Sequence, residues 1–82
     1  MDERTRKIGE NEARYRAVGE ERSMAVVCEC GGLACTRRIE LEVPVYERIR
    51  ADSTLFVVVP GHEIPDVESI VERHETFNVV RR

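Results

Sequence analysis

Large aromatic side chains are scarce in this chain of 82 residues, which has no tryptophan, two phenylalanines and two tyrosines. A chain of this length forms one small domain, and small domains with little bulky apolar packing often depend on disulfides or a metal ion. Cysteines are also few, and because there are three of them, they cannot all pair in disulfides within one chain. A bound metal is therefore the expected stabilising device.

Long apolar runs and an excess of basic charge are missing as well. No stretch approaches the ~20 apolar residues of a membrane helix, and residues 1–23 contain no apolar run of signal-peptide length. With reduced cysteines, this predicts a cytoplasmic protein without a membrane partner. The 16 acidic and 13 basic residues give a net charge of −3. That balance disfavours nucleic-acid binding, which usually requires a basic excess.

The cysteines form one short cluster, Cys28, Cys30 and Cys35. The apolar residues before Cys28 predict a strand, in which residues two apart point to the same side. Gly31-Gly32 then permits a sharp turn, including one through positive φ, which would return Cys35 toward the other two thiols. Three thiols at one point are most of a tetrahedral zinc site, which needs one further ligand.

The sequence offers two histidines as that further ligand. His62 lies in a Pro60-Gly61 turn and has no other evident role, whereas His74 ends a predicted helix, where a cation is favoured. We therefore prefer His62, with His74 as the alternative, and expect Glu63 to orient the ring of His62. The predicted zinc ligands are Cys28, Cys30, Cys35 and His62.

Other interpretations of the cysteines stay open. They could be reduced thiols that pack as small apolar groups, or a Cys30–Cys35 disulfide or reactive pair. No catalytic motif accompanies them: His62-Glu63 does not continue as a metalloprotease motif, and the deaminase and phosphate-loop patterns are missing. Four protein ligands would also leave no open position on the metal. The sequence therefore predicts no catalytic residues and no cofactor besides Zn²⁺.

Apolar periodicity and turn residues predict an α+β fold, a small mixed or antiparallel sheet of about four strands that begins with a β-hairpin, with two or three short helices. Residues 1–9 are expected to be a flexible N-terminus, and residues 10–82 a single small zinc-binding domain. The predicted helices span 10–22, 45–51 after Pro44, and 65–74; the predicted strands span 24–30, 36–43, 54–59 and 76–80.

Four segments of the chain match the sequence pattern of a group of other small proteins: Cys28-Glu29-Cys30, Cys35-Thr36, Arg50-Ala51-Asp52 and Val59-Pro60-Gly61-His62-Glu63. Across residues 11–82 the chain resembles a group of small uncharacterised bacterial proteins with the pattern C-E-C-x4-C-T…P-G-H-E. The resemblance implies a domain that stands alone and a Pro-Gly-His turn that belongs with the cysteines. It implies no activity. Pro44 departs from the group, whose members tend to begin the following helix with another residue.

Three functions follow as hypotheses. The preferred one is a non-catalytic, regulatory zinc-binding module that binds another macromolecule, expected to be a protein. The first alternative is a redox or zinc sensor, in which oxidation of the clustered thiols ejects the metal. The second is a nucleic-acid-binding protein that uses the arginines Arg37, Arg38, Arg81 and Arg82.

Overall fold

The computed structural model describes residues 3–82, and within them the chain has the predicted α+β class, with two helices and five strands. None of the helices in this range has the length and apolar character needed to cross a membrane. The elements in chain order are α1 (Glu3–Ala17), β1 (Ser23–Val27), β2 (Arg38–Glu42), α2 (Val43–Arg50), β3 (Leu55–Val58), β4 (Ser69–Arg73) and β5 (Asn78–Arg81).

The strands form two sheets rather than one sheet of about four strands. The predicted hairpin is confirmed: β1 and β2 pair antiparallel, with Val26 opposite Ile39. The second sheet is antiparallel in the order β3-β5-β4. The chain beyond β1 links the two, because the Cys28 N–H donates to the carbonyl of Arg37, while the Glu29 N–H donates to the carbonyl of Val57 in β3, both at 2.8 Å. Cys28 thus bonds to the residue just before β2, whereas the adjacent Glu29 bonds to β3. The two sheets are therefore joined at this segment but do not form one continuous ladder of strands.

The prediction of a helix over residues 65–74 is wrong. The carbonyl of Ile64 accepts the N–H groups of Val67 and Glu68, which makes a single turn. From Ser69 the chain is the strand β4, paired with β5 through a bulge beside Ile70. Two consecutive β-branched residues, Ile70 and Val71, favour this extended form, and the ladder to β5 supplies hydrogen bonds that a short helix would have lacked.

The first helix begins at Glu3 and ends at Ala17, instead of covering residues 10–22. Residues 3–9 of the predicted flexible start are therefore helical, and Met1 and Asp2 lie outside the described residues. Gly19, with a positive φ of 64°, follows the helix end, as glycines commonly do. The N-terminal extension has a physical cause, because Arg4 and Lys7 are buried against the segment that carries the cysteines.

One apolar core joins both sheets and α2. Helix α2 has Pro44 in its first turn, as predicted, and its Tyr46 and Ile49 are fully buried. Cys28 and Cys30 belong to the same buried cluster. The cysteine segment is therefore anchored at the margin of the core.

Candidate metal centre

The first two cysteines lie in the extended segment that follows β1. Alternation along this segment places Cys28 and Cys30 on one side and Glu29 on the other, and all three residues are buried. The Cys28 sulfur accepts a hydrogen bond from the Val59 N–H at 3.2 Å. This sulfur is thus held by backbone groups of β1's extension and of the chain just after β3.

The other two candidate ligands come from turns. The Cys35 N–H donates to the carbonyl of Gly32 at 3.2 Å, which closes the loop and returns Cys35 toward the strand. His62 is the last residue of a turn, and its N–H donates to the carbonyl of Val59 at 2.9 Å. This turn has proline second and glycine third, the arrangement of a type II turn, and Gly61 has the positive φ of 94° that such a turn requires.

The four candidate atoms form one group within residues 3–82: the sulfurs of Cys28, Cys30 and Cys35 and a ring nitrogen of His62 all lie within 4.8 Å of one another. The Nδ1 atom of His62 lies 3.4 Å from Sγ of Cys35 and 3.6 Å from Sγ of Cys28. Tetrahedral zinc, with Zn–S of about 2.3 Å and Zn–N of about 2.0–2.1 Å, separates sulfur and nitrogen by about 3.5 Å. The spacing therefore fits a tetrahedral ion with Nδ1 as the histidine donor.

The second histidine lies elsewhere. His74 stacks on Phe77, with ring centroids 4.3 Å apart, and its Nε2 lies 2.9 Å from Oε1 of Glu72. It follows a strand and not the predicted helix. Glu63 does not take its expected role in the structure, because its carboxylate accepts the N–H of Gly61. The structure thus brings His62, and not His74, to the cysteines.

The thiols differ in their readiness to lose a proton. Burial raises the pKa of Cys28 to about 12, against the opposing hydrogen bond from Val59. Burial also acts to raise the pKa of Cys30, but hydrogen bonds from the Gly32 N–H and from His62 outweigh it and lower that pKa to about 6. A divalent ion must displace the remaining protons when it binds, so zinc affinity should rise with pH.

Helix α1 reaches the cysteine segment through polar side chains, a feature that the apolar pattern of the sequence does not reveal. Arg4, Lys7 and Asn11 recur at spacings of three and four, so they lie on one helical face, and all are buried. Arg4 donates to the carbonyl of Glu29 at 2.7 Å, and Asn11 donates to the carbonyl of Val27 at 2.9 Å. The periodic spacing of these polar residues is the sequence signal that indicates a helix before residue 10.

Glu29 is the buried acid of this region. Its carboxylate accepts hydrogen bonds from the Asn11 amide at 2.9 Å and from the Val57 N–H at 3.1 Å, and Arg50 lies 3.4 Å away. Burial raises the pKa of Glu29, although these partners oppose the shift. The residue between the two buried cysteines therefore links α1, α2 and β3.

Glycine is required at the histidine turn rather than in the cysteine loop. Gly31 and Gly32 do not have the positive φ that the sequence suggested, whereas Gly61 does. We expect Gly61→Ala to strain the turn by roughly 1–2 kcal/mol and to weaken zinc binding by displacing His62. Gly31→Ala is the matched control, since its new methyl group would meet only Ile64, at 3.9 Å. Chelator competition measures both affinities, and equal losses in the two variants would contradict this role of Gly61.

Comparison of the sequence with protein-family models, with curated proteins and with solved structures found no match. The resemblance to small bacterial proteins stays a prediction. The functional argument therefore depends on the site itself, a possible Cys3His metal-binding group in a small α+β domain.

Proposed function

We propose that this protein is a cytoplasmic, non-catalytic zinc-binding domain whose Cys3His centre holds its fold together, and that it serves as a binding module for another protein. The single observation that carries the proposal is the convergence of three sulfurs and one imidazole nitrogen within 4.8 Å. Zinc is the ion that this ligand set suits, since Cys3His is an established structural zinc set and iron–sulfur clusters usually take four cysteines.

The positions of the ligands support a structural role. They come from the extension of β1, from the loop before β2 and from the turn between β3 and β4. A bound ion would thus cross-link segments of both sheets in a domain with a small core. Four protein ligands also leave no position for a metal-bound water, which a catalytic zinc needs.

The proposal is tested by native mass spectrometry of the untagged protein purified without chelators. We expect one zinc per chain in the wild type, and loss or weakening of that zinc in His62→Ala and Cys30→Ser, because each variant removes one of the four donors. His74→Ala is the matched control and should keep a full complement. Metal-free wild-type protein, or loss of zinc in His74→Ala but not in His62→Ala, would contradict the proposed site.

A redox-sensor role has a specific observation in its favour. Cys35 and His62 are only half-buried, and they line an open cavity of about 440 Å³ together with Cys30. A peroxide that enters there would oxidise two of the thiolates that hold the ion to a disulfide, while its O–O bond breaks and its oxygens take up two protons from solvent to give two waters; the ion would then lose two of its ligands and be released. The same mass measurement after mild peroxide distinguishes the two functions, since a structural centre retains its zinc and a sensor loses it.

The binding role has support from the surface beside the site. Leu33, in the cysteine loop, is 80% exposed, and Ile64 and Val67, in the segment after His62, are exposed as well. Apolar residues at the centre of protein interfaces bind by excluding water, so a protein partner suits this loop better than a nucleic acid does.

Photocrosslinking from position 33 should identify the partner, and Leu33→Asp should weaken the binding of that partner to the purified protein without loss of zinc. A partner that is RNA or DNA, with a steep salt dependence, would replace this assignment.

A further inference from the structure

Lys7 is a buried cation beside the proposed zinc site, and it is not one of the four proposed ligands. Its side chain, on α1, is fully buried, and Nζ donates to the carbonyls of Gly32 at 2.7 Å and Cys30 at 3.1 Å. The third neighbour of Nζ is Sγ of Cys30, at 3.6 Å. Three acceptors around one nitrogen match the three hydrogens of an ammonium group.

A buried positive charge is costly unless an opposite charge compensates it. Among residues 3–82, no carboxylate lies within 4.0 Å of Nζ, although other cations of α1, such as Arg4 and Arg6, have carboxylate partners. Within the same range, the nearest group able to carry negative charge is the sulfur of Cys30, at 3.6 Å, and the carboxylate of Glu3 acts on Lys7 only from a longer distance. The thiolates are therefore the closest source of counter-charge for Lys7.

The zinc–thiolate cluster would likewise need a positive charge beside it. A divalent zinc ion with three thiolates and one neutral imidazole carries one net negative charge, and here two of the three cysteines are buried, so water screens that charge less than it would at the surface. One ammonium group beside the cluster makes the whole assembly neutral. Groups that contact the ligands of a metal orient those ligands and tune the metal, and their mutation typically lowers metal affinity by roughly 10- to 100-fold.

We propose that Lys7 is the positioning residue and counter-charge of the zinc centre: its ammonium group, fixed by the carbonyls of Cys30 and Gly32, neutralises the zinc–thiolate cluster and orients the Cys30 sulfur. The inference rests on the proposed zinc function and deepens it. It also gives α1 a role, because the helix that contributes no ligand supplies the charge that the site needs.

The test compares the zinc affinity and the cobalt spectrum of Lys7→Met, Lys7→Gln and Lys7→Arg with those of the wild type. Zinc affinity comes from competition with a chromophoric chelator. The sulfur-to-cobalt charge-transfer band of the Co²⁺-substituted protein reports the electron density on the thiolates, which a purely structural role of Lys7 would not move. Lys7→Gln keeps a hydrogen-bond donor without the charge, and Lys7→Arg keeps the charge. Arg6→Met is the matched control, since Arg6 is on the same helix, carries the same charge and is exposed.

We expect Lys7→Met and Lys7→Gln to bind zinc roughly 10- to 100-fold more weakly than the wild type. Their charge-transfer band should move to lower energy, because thiolates without a neighbouring cation give up electrons more readily. Lys7→Arg and Arg6→Met should resemble the wild type. If Lys7→Met fails to fold even with zinc, Lys7→Gln decides the question.

The two proposals fail in different ways. A wild-type affinity and an unshifted band in Lys7→Gln would overturn the role of Lys7 while the zinc centre stands. A wild type that takes up neither zinc nor cobalt stoichiometrically would overturn the zinc centre itself, and the role of Lys7 with it.

Discussion

Removal of the metal is expected to unfold the domain. Structural zinc in small domains contributes an apparent ~10–16 kcal/mol of binding free energy at neutral pH, which is comparable to the ~5–15 kcal/mol by which whole domains are stable. In this chain the four candidate ligands join segments that are otherwise held by few backbone hydrogen bonds, such as the one from Glu29 to Val57. An excess of chelator, or the substitution Cys28→Ser, should therefore abolish cooperative folding.

Circular dichroism and the dispersion of amide NMR signals check this expectation, with readdition of zinc as the test of reversibility. His74→Ala serves as the control, because His74 contacts Phe77 and Glu72 and not the cysteines. It should unfold only when the chelator is added, as the wild type does. A metal-free wild type that keeps its dispersed spectrum and its melting temperature would show that the centre does not stabilise the fold.

Replacement of Glu29 is expected to have the second largest effect on stability. Its carboxylate is fully buried, and Glu29→Ala would leave the Val57 N–H without its acceptor and the Arg50 charge without its carboxylate. The Asn11 amide would keep only the carbonyl of Val27. Loss of one member of a buried ionic network costs about 3–5 kcal/mol. Urea unfolding of the zinc-loaded protein should show a loss of that size in Glu29→Ala and a smaller one in Glu29→Gln, which still offers an acceptor oxygen.

The matched control for this prediction is Glu40→Ala. Glu40 has the same charge but faces solvent on β2, so its substitution should change the free energy of unfolding by less than about 0.5 kcal/mol. Similar losses in the Glu29 and Glu40 variants would contradict the role assigned to the buried network.

Much of the centre could be predicted from the sequence because its determinants are local. The spacing of Cys28 and Cys30 in an extended segment fixes their shared side, and the Pro60-Gly61 pair fixes a turn that aims His62. The alternation of Ile39 and Leu41 likewise predicted the hairpin that carries the loop. Such patterns act over a few residues, and tertiary contacts did not override them.

The parts that the sequence did not reveal depend on distant contacts. The segment after Pro65 has helix-like charges and an apolar stripe, but the ladder offered by β5 makes it a strand beyond its first turn. The polar face of α1 has no apolar periodicity to mark it, because Arg4 and Lys7 pack against backbone carbonyls and sulfur instead of apolar side chains. The separation into two sheets depends on Glu29, whose pairing with Val57 has no local signature.

X-ray absorption at the zinc edge tests the central claim most directly. For the zinc-loaded wild type we predict three sulfurs at about 2.3 Å and one nitrogen at about 2.0–2.1 Å from the metal. In His62→Ala the nitrogen of the imidazole should disappear from that shell while the sulfurs remain. A wild-type shell with fewer than three sulfurs, or one without imidazole scattering, would contradict the assignment of Cys28, Cys30, Cys35 and His62 as the zinc ligands.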